Sequence, residues 1–200
     1  MKNWILIFAL MLLTATTRSQ CLTADIVIIV DWSSSESGNE ARLARATREF
    51  IAELDVSDDK VRVGILTFNN VVTKISKLNG DKTDLNARLG TMTLFGAKGG
   101  TWISESIMET LVMFNNERAV PKLIVILSDG EIPDVYAASR YISEAKEHIQ
   151  LSVYAVQIAG HDIDPDAIDN LYQLTGDPTH VEIERATGLS EALKRLNLCN

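Results

Sequence analysis

Strand and helix patterns alternate along this chain, which predicts an α/β fold: a doubly wound, open and mostly parallel sheet with helices on both faces. Two observations carry that prediction. Ala24–Val30 (ADIVIIV) and Pro121–Leu127 (PKLIVIL) are β-branched apolar runs of the kind found in strands buried on both faces. Between such runs, apolar residues recur at helical spacing with charged residues among them. A third observation modifies the picture. Asn69-Asn70 separates two short β runs, which reads as a tight hairpin and makes one edge strand antiparallel.

The elements follow in order. Ala24–Val30 is the first strand, and a polar loop, Ser33–Asn39, leads to a helix whose apolar face is Leu43, Ala46, Phe50, Ile51 and Leu54. Val61–Phe68 and Val71–Ser76 form the hairpin strands. Asp81–Thr93 is a helix with Leu85, Leu89 and Met92 facing inward, and Phe95–Gly100 is a Gly-rich loop. Ile103, Ile107, Leu111 and Phe114 mark the next helix. Pro121–Leu127 is the fourth strand, and Ala138, Tyr141, Ile142, Ala145 and Ile149 mark a further helix. Leu151–Ile158 is a strand. Asp164-Pro165 opens a helix as cap and first residue, with Ile168, Leu171 and Leu174 on its apolar face. Val181 and Ile183 belong to a short last strand, and Thr187–Leu196 is a last helix.

The N-terminal residues read as an address. Lys2 precedes a nine-residue apolar run, Ile5–Leu13, and Thr17 and Ser19 sit at the −3 and −1 positions of a cut before Gln20. The run is too short for a membrane helix, which needs about 20 residues. Residues 1–19 are therefore expected to be a signal peptide and 20–200 a single secreted, extracellular domain with no membrane span. Export makes Cys21 and Cys199, the only two cysteines, an expected disulfide. Such a bridge would close nearly the whole mature chain, worth about 5 kcal/mol in the chain-entropy picture.

Composition narrows the function. The 200-residue chain carries 19 Lys+Arg against 27 Asp+Glu, a net −8. Removing residues 1–19 leaves 17 basic residues and a net −10. A general nucleic-acid binder would carry the opposite excess, so no nucleic-acid partner is expected. Three His and two Cys are too few to suggest a Cys/His zinc site.

Ligands of open α/β sheets bind beyond the carboxyl ends of the strands. Two of those ends carry acid, in Asp31-Trp32-Ser33-Ser34-Ser35 and Ser128-Asp129-Gly130, and Gly99-Gly100-Thr101 precedes a helix. Asp31, Ser33, Ser35, Thr101 and Asp129 together offer only oxygen, a donor set suited to Mg²⁺, Mn²⁺ or Ca²⁺. Alternation of 31, 33 and 35 would direct all three to one side of an extended segment. Taken singly, each piece also fits a local role as a turn, a helix entry or an N-cap.

These residues resemble the metal-ion-dependent adhesion site of the von Willebrand factor type A domain, the module also inserted in integrins. DWSSS matches its D-x-S-x-S, Thr101 in GGTWIS its Thr, and Asp129 in LSDGE its Asp. The resemblance spans residues 21–199. It implies a six-stranded sheet of order 3-2-1-4-5-6 with strand 3 as the antiparallel edge. It also implies direct metal contact from Ser33, Ser35 and Thr101 when ligand is bound, with Asp31 and Asp129 acting largely through water. A Glu or Asp of a protein partner would complete the octahedron. Mg²⁺ is the first cation expected. Extracellular matrix, including collagen-like ligands, is the first partner class. Trp32, large where the family is often small, is a candidate ligand contact; the alternative is packing onto the neighbouring loop. The short Gly160–Ile163 loop leaves no room for the extra helix of collagen-binding integrin modules.

Other constellations are weaker. His161, Asp162, Asp164 and Asp166 lack the glycine and terminal Glu of a calcium loop, and His148 and His180 stand alone. No phosphate-binding loop, G-x-S-x-G or H-E-x-x-H occurs, so no enzyme is expected. Two alternatives are a structural matrix or assembly protein with a stabilising or idle metal site, and a metal-dependent phosphoaspartyl-type hydrolase built on Asp31 and Asp129.

Overall fold

The computed structural model describes residues 23–115, 118–158, 165–184 and 188–196. Six strands form one sheet: β1 (Ala24–Asp31), β2 (Val61–Phe68), β3 (Val72–Asn79), β4 (Lys122–Ser128), β5 (Leu151–Gln157) and β6 (Val181–Ile183). Their order is β3-β2-β1-β4-β5-β6, as the resemblance implies. Only β3 is antiparallel, and all other neighbours run parallel. β3 runs three residues past the expected end at Ser76, because Lys77 and Asn79 lie on a partly exposed edge that does not require apolar side chains. Its register with β2 shifts twice, between Val63 and Leu66, an irregularity typical of edges.

Strand alternation sorts the core into two layers. Even-numbered residues of β1 (Ala24, Ile26, Ile28, Val30) face α1 (Glu40–Glu53), α2 (Lys82–Met92) and α6 (Leu189–Arg195). Val27 and Ile29 face α3 (Ser104–Phe114), α4 (Val135–Lys146) and α5 (Pro165–Thr175). Asp81 caps α2, its carboxylate accepting from the backbone N–H groups of Thr83 and Asp84. The expected cap of α5, Asp164, lies outside the described residues. So do the expected signal peptide, Cys21 and Cys199, and residues 159–164. Of the two isolated histidines, His180 stacks on Tyr154 with ring centroids 4.2 Å apart, and its Nδ1 lies 3.1 Å from the Val153 carbonyl oxygen.

The amino end of the sheet holds a buried charge cluster. Asp25, the second residue of β1, is fully buried. Arg62 reaches both of its oxygens from Nε and Nη2 at 2.9 Å, Arg118 Nη1 donates at 2.9 Å, and Lys122 Nζ donates at 2.6 Å. Burial pushes the Asp25 pKa up, but the hydrogen bonds and charges of Arg62 and Lys122 outweigh it and hold the group at about 2. A folded-state pKa below the unfolded value stabilises the fold above about pH 4, and this contribution is lost as pH falls toward 2. Asp25→Asn is therefore expected to cost about 3 kcal/mol near neutral pH, since it leaves buried cations without their anion. Denaturant unfolding across pH should show the difference from wild type shrinking between about pH 4 and pH 2. A pH-independent difference would contradict the assignment.

Candidate metal centre

β1 and β4 lie side by side, so their carboxyl ends bring Asp31 and the Ser128-Asp129-Gly130 turn together. Asp31 is fully buried. Its Oδ1 accepts from Ser33 N at 2.9 Å and its Oδ2 from Ser128 Oγ at 2.7 Å. Ser33 keeps extended backbone, and the chain then curls into a 3₁₀ turn, Ser34–Glu36. The expectation of a fully extended D-x-S-x-S segment is thus corrected, because Asp31 ties down Ser33 N and the turn begins immediately after it. The outcome for the hydroxyls is the same. Ser33 Oγ and Ser35 Oγ lie 2.9 Å apart in hydrogen-bond contact.

Thr101 sits half-buried on a loop fastened from several sides. Ser34 donates from both N and Oγ to Gly99 O at 3.2 and 3.0 Å, and Lys98 N donates to Trp32 O at 3.0 Å. Glu40, at the start of α1, accepts from Ala97 N at 3.0 Å. The hairpin holds the far side: Gly100 N donates to Asn70 Oδ1 at 2.7 Å and Trp102 N to Asn69 O at 2.9 Å. A side chain at Gly100 would place its Cβ 2.7 Å from that Asn70 oxygen, so the Asn70 side chain would have to shift from this position. Among the described residues, Thr101 itself makes no hydrogen bond to the Asp31–Ser33–Ser35 group.

Thr101 does not cap α3. That role falls to Asp134, whose carboxylate accepts from Ile103 N at 3.0 Å and Ser104 N at 2.8 Å. Asp134 follows the Asp129 turn, so one side chain ties the Asp129 and Thr101 loops together. Asp129 is half-buried, and its Oδ1 accepts from Glu131 N at 3.1 Å. Gly130 has φ +92°, and a Cβ there would lie 2.4 Å from Ala167 O, so α5 presses directly on this turn. Asn170 Nδ2 adds a hydrogen bond to Gly130 O at 2.9 Å.

Trp32 is not the exposed ligand contact considered for it. It is 3% exposed, packs in the α1–α2 core layer and donates from Nε1 to Phe95 O at 2.6 Å. Strand alternation carried one residue past Asp31 points Trp32 the same way as Val30. The exposed indole nearby is Trp102.

Among the described residues, the site is short of positive charge. Burial raises the Asp31 pKa to about 6 against the hydrogen bonds from Ser33 and Ser128, and Asp129 raises it further. Glu36, buried on the 3₁₀ turn with Asn39 Nδ2 on its Oε2 at 3.1 Å, is pushed up to about 7 by burial and then by Asp31 and Asp129. Sequence reasoning passed over Glu36, although it is the only acid in the Ser-rich loop. Among the described residues, no three His, Cys, Asp or Glu side chains converge as a metal-binding group. The candidate donors are two carboxylates and three hydroxyls, and a buried Asp31 repelled by the half-buried Asp129 beside paired hydroxyls fits a hard divalent cation. Asp31, Ser33, Ser35, Thr101 and Asp129 would hold it.

A folded-state pKa above the unfolded value makes the ionised carboxylate costly. For Asp31 the cost sets in as pH rises from about 4 to about 6, and for Glu36 it extends to about 7. Asp31→Asn is expected to stabilise the metal-free protein by about 1–3 kcal/mol near neutral pH, with the gain gone by about pH 4. Mg²⁺ or Mn²⁺ should raise the wild-type melting temperature more near pH 7 than near pH 5 and should leave the variant unmoved. Melting curves over pH, with and without cation, measure both; a neutral or destabilising Asp31→Asn would refute the charge deficit.

Comparison with known proteins agrees with this fold. The sequence model of the von Willebrand factor type A domain matches residues 25–194. The minor fimbrium subunit Mfa5 of Porphyromonas gingivalis is 27% identical over 134 residues, covering 62% of this chain and 10% of Mfa5, so the chain spans about a tenth of that relative. Manganese-loaded Plasmodium vivax TRAP protein superposes with a TM-score of 0.71 at 16% identity, covering 90% of this chain and 75% of that one. Mussel byssus proximal thread matrix protein 1, solved with zinc in its metal-ion-dependent adhesion motif, gives a TM-score of 0.71 at 16% identity over 89% of this chain and 46% of its own. Fold, strand order and sequence match together place the chain in the von Willebrand factor type A domain family.

Proposed function

We propose that the chain is an extracellular adhesion module that binds an acidic group of a protein partner through a divalent cation held at Asp31, Ser33, Ser35, Thr101 and Asp129. The observation carrying this reading is the buried, charge-deficient Asp31 next to the paired Ser33 and Ser35 hydroxyls. A bound divalent cation would supply the electrophilic position for an incoming carboxylate. Neutral hydroxyls as direct donors keep that position electrophilic, and the two aspartates supply the balancing charge. Ser128 and Ser33 N fix both oxygens of Asp31, and the tied loops fix the rest. Mg²⁺ is the cation we propose first, with Mn²⁺ or Ca²⁺ as substitutes.

Mfa5 is named as a fimbrium subunit, which supports a surface-exposed binding role for a related domain. With it go the remaining parts of the proposal: cleavage after residue 19, secretion, a Cys21–Cys199 bridge and no catalytic activity. Among the described residues, no helix is long and apolar enough to cross a membrane. Matrix proteins, collagen-like ones included, are the first partners to test. A second reading, an assembly component whose cation only stabilises the fold, has support in the byssal matrix protein of the same fold.

Asp129→Ala separates the two. It is expected to weaken cation affinity about 10- to 100-fold and to abolish Mg²⁺-dependent retention of partner from extracellular material, with the circular dichroism spectrum unchanged. EDTA should mimic it on wild type. Partner retention that survives both treatments would exclude the adhesion mechanism.

A further inference from the structure

The end of the sheet that carries the candidate cation also carries most of the exposed apolar surface. Seven large hydrophobic side chains are exposed among the described residues, and five lie on loops or first turns at that end: Val71 (60%), Leu94 (75%), Phe95 (65%), Trp102 (52%) and Tyr136 (75%). The other two, Met108 and Val112, lie on the outer side of α3. Topology forces the grouping. Val71 is the tip of the β2–β3 hairpin, Leu94 and Phe95 follow α2 as it reaches the carboxyl end, and Tyr136 opens α4 just after the Asp129 turn. Trp102 is the neighbour of Thr101.

These side chains are anchored by the loop bonds already described. Phe95 O accepts the buried Trp32 indole, and Trp32 is the residue before Ser33. Trp102 N is bonded to the hairpin at Asn69 O, two residues before Val71. Asp134, two residues before Tyr136, holds the backbone immediately after Trp102. A soluble monomer rarely leaves large apolar patches without a partner for them, and here five large apolar side chains more than half exposed gather at one end of the sheet.

On the cation-binding reading above, we propose that the partner presents a single carboxylate set among aromatic or aliphatic side chains. The acid engages the cation, and its apolar neighbours pack on the exposed rim of Trp102, Phe95, Leu94, Val71 and Tyr136. Charge selects against the alternative acidic ligand. The chain carries a net −8, so a run of acids gains one favourable contact at the cation and meets repulsion elsewhere. A lone acid in apolar surroundings gains that contact and buries the exposed rim as well. Trp102 is the principal specificity residue, as the exposed large aromatic next in sequence to a candidate cation donor.

The test uses the whole domain and a random-peptide display library, panned in Mn²⁺ and eluted with EDTA. Calorimetry with Mn²⁺ alone is run on wild type, Trp102→Ser and Phe95→Ser. Eluted peptides are expected to share one Asp or Glu with aromatic or aliphatic neighbours. Both variants are expected to keep wild-type Mn²⁺ affinity and melting temperature while binding the selected peptides about tenfold more weakly. Eluted peptides with acidic runs or with polar flanks, variants that bind them as wild type does, or no eluted peptides despite normal Mn²⁺ binding would each overturn the proposal. Mn²⁺-driven self-association, read by sedimentation and lost in Trp102→Ser, would overturn it in favour of a second copy of this chain. A wild type that binds no Mn²⁺ by calorimetry would remove the cation reading itself, and this proposal with it.

Discussion

β1 is buried at all eight of its positions, and it begins and ends with a carboxylate close to each end. A buried charge must be compensated or neutralised, and the chain solves the two ends differently. Asp25 is matched from within by two arginines and a lysine, of which Arg62 and Lys122 hold it ionised at a pKa of about 2. Asp31 receives hydrogen bonds but no cation from the described residues, and it sits at about 6 with Asp129 adding repulsion. One strand therefore carries a closed electrostatic account at its amino end and an open one at its carboxyl end. Neighbouring strands inherit this polarity. Arg62 on β2 and Lys122 at the start of β4 serve Asp25, while Ser128 at the end of β4 serves Asp31.

The strongest sequence signals concerned groups that solve their problem locally. The apolar runs of β1 and β4, the Asn pair of the hairpin and the helical spacing of Leu43, Phe50 and Ile51 each specify an element without reference to the rest of the chain. Asp31, Ser33 and Ser35 were equally visible because all three lie within five residues. Asp134 was not, since the N–H groups it caps lie 30 and 31 residues upstream and belong to another loop. The Asp25 cluster also had to wait for the fold, because its partners come from three segments. Yet an Asp inside a run read as buried on both faces was a signal that called for cations. Trp32 was legible in the same way: parity along β1 places it with Val30 in the core.

The two carboxylates missing from a purely local reading also explain how the site is kept in shape. Asp134 links the loops of the two candidate donors that lie farthest apart in sequence, Thr101 and Asp129. Glu36 places a third acid behind the serines, where burial and its two neighbours disfavour its charge. Neither residue belongs to the D-x-S-x-S signature, and both act on it through backbone geometry or field rather than through a donor atom.

The Gly99–Trp102 loop is bonded to the serine turn, to the hairpin and, through Asp134, to the loop beyond β4. Four connections that would ordinarily move independently are therefore joined into one plate before any partner arrives. Ordering side chains and loops is a large part of what opposes association, and here most of that entropy is given up during folding. Encounters with a correctly shaped acid should then lead to capture without a slow rearrangement of the receiving surface, and discrimination among partners falls to shape and chemistry at the rim.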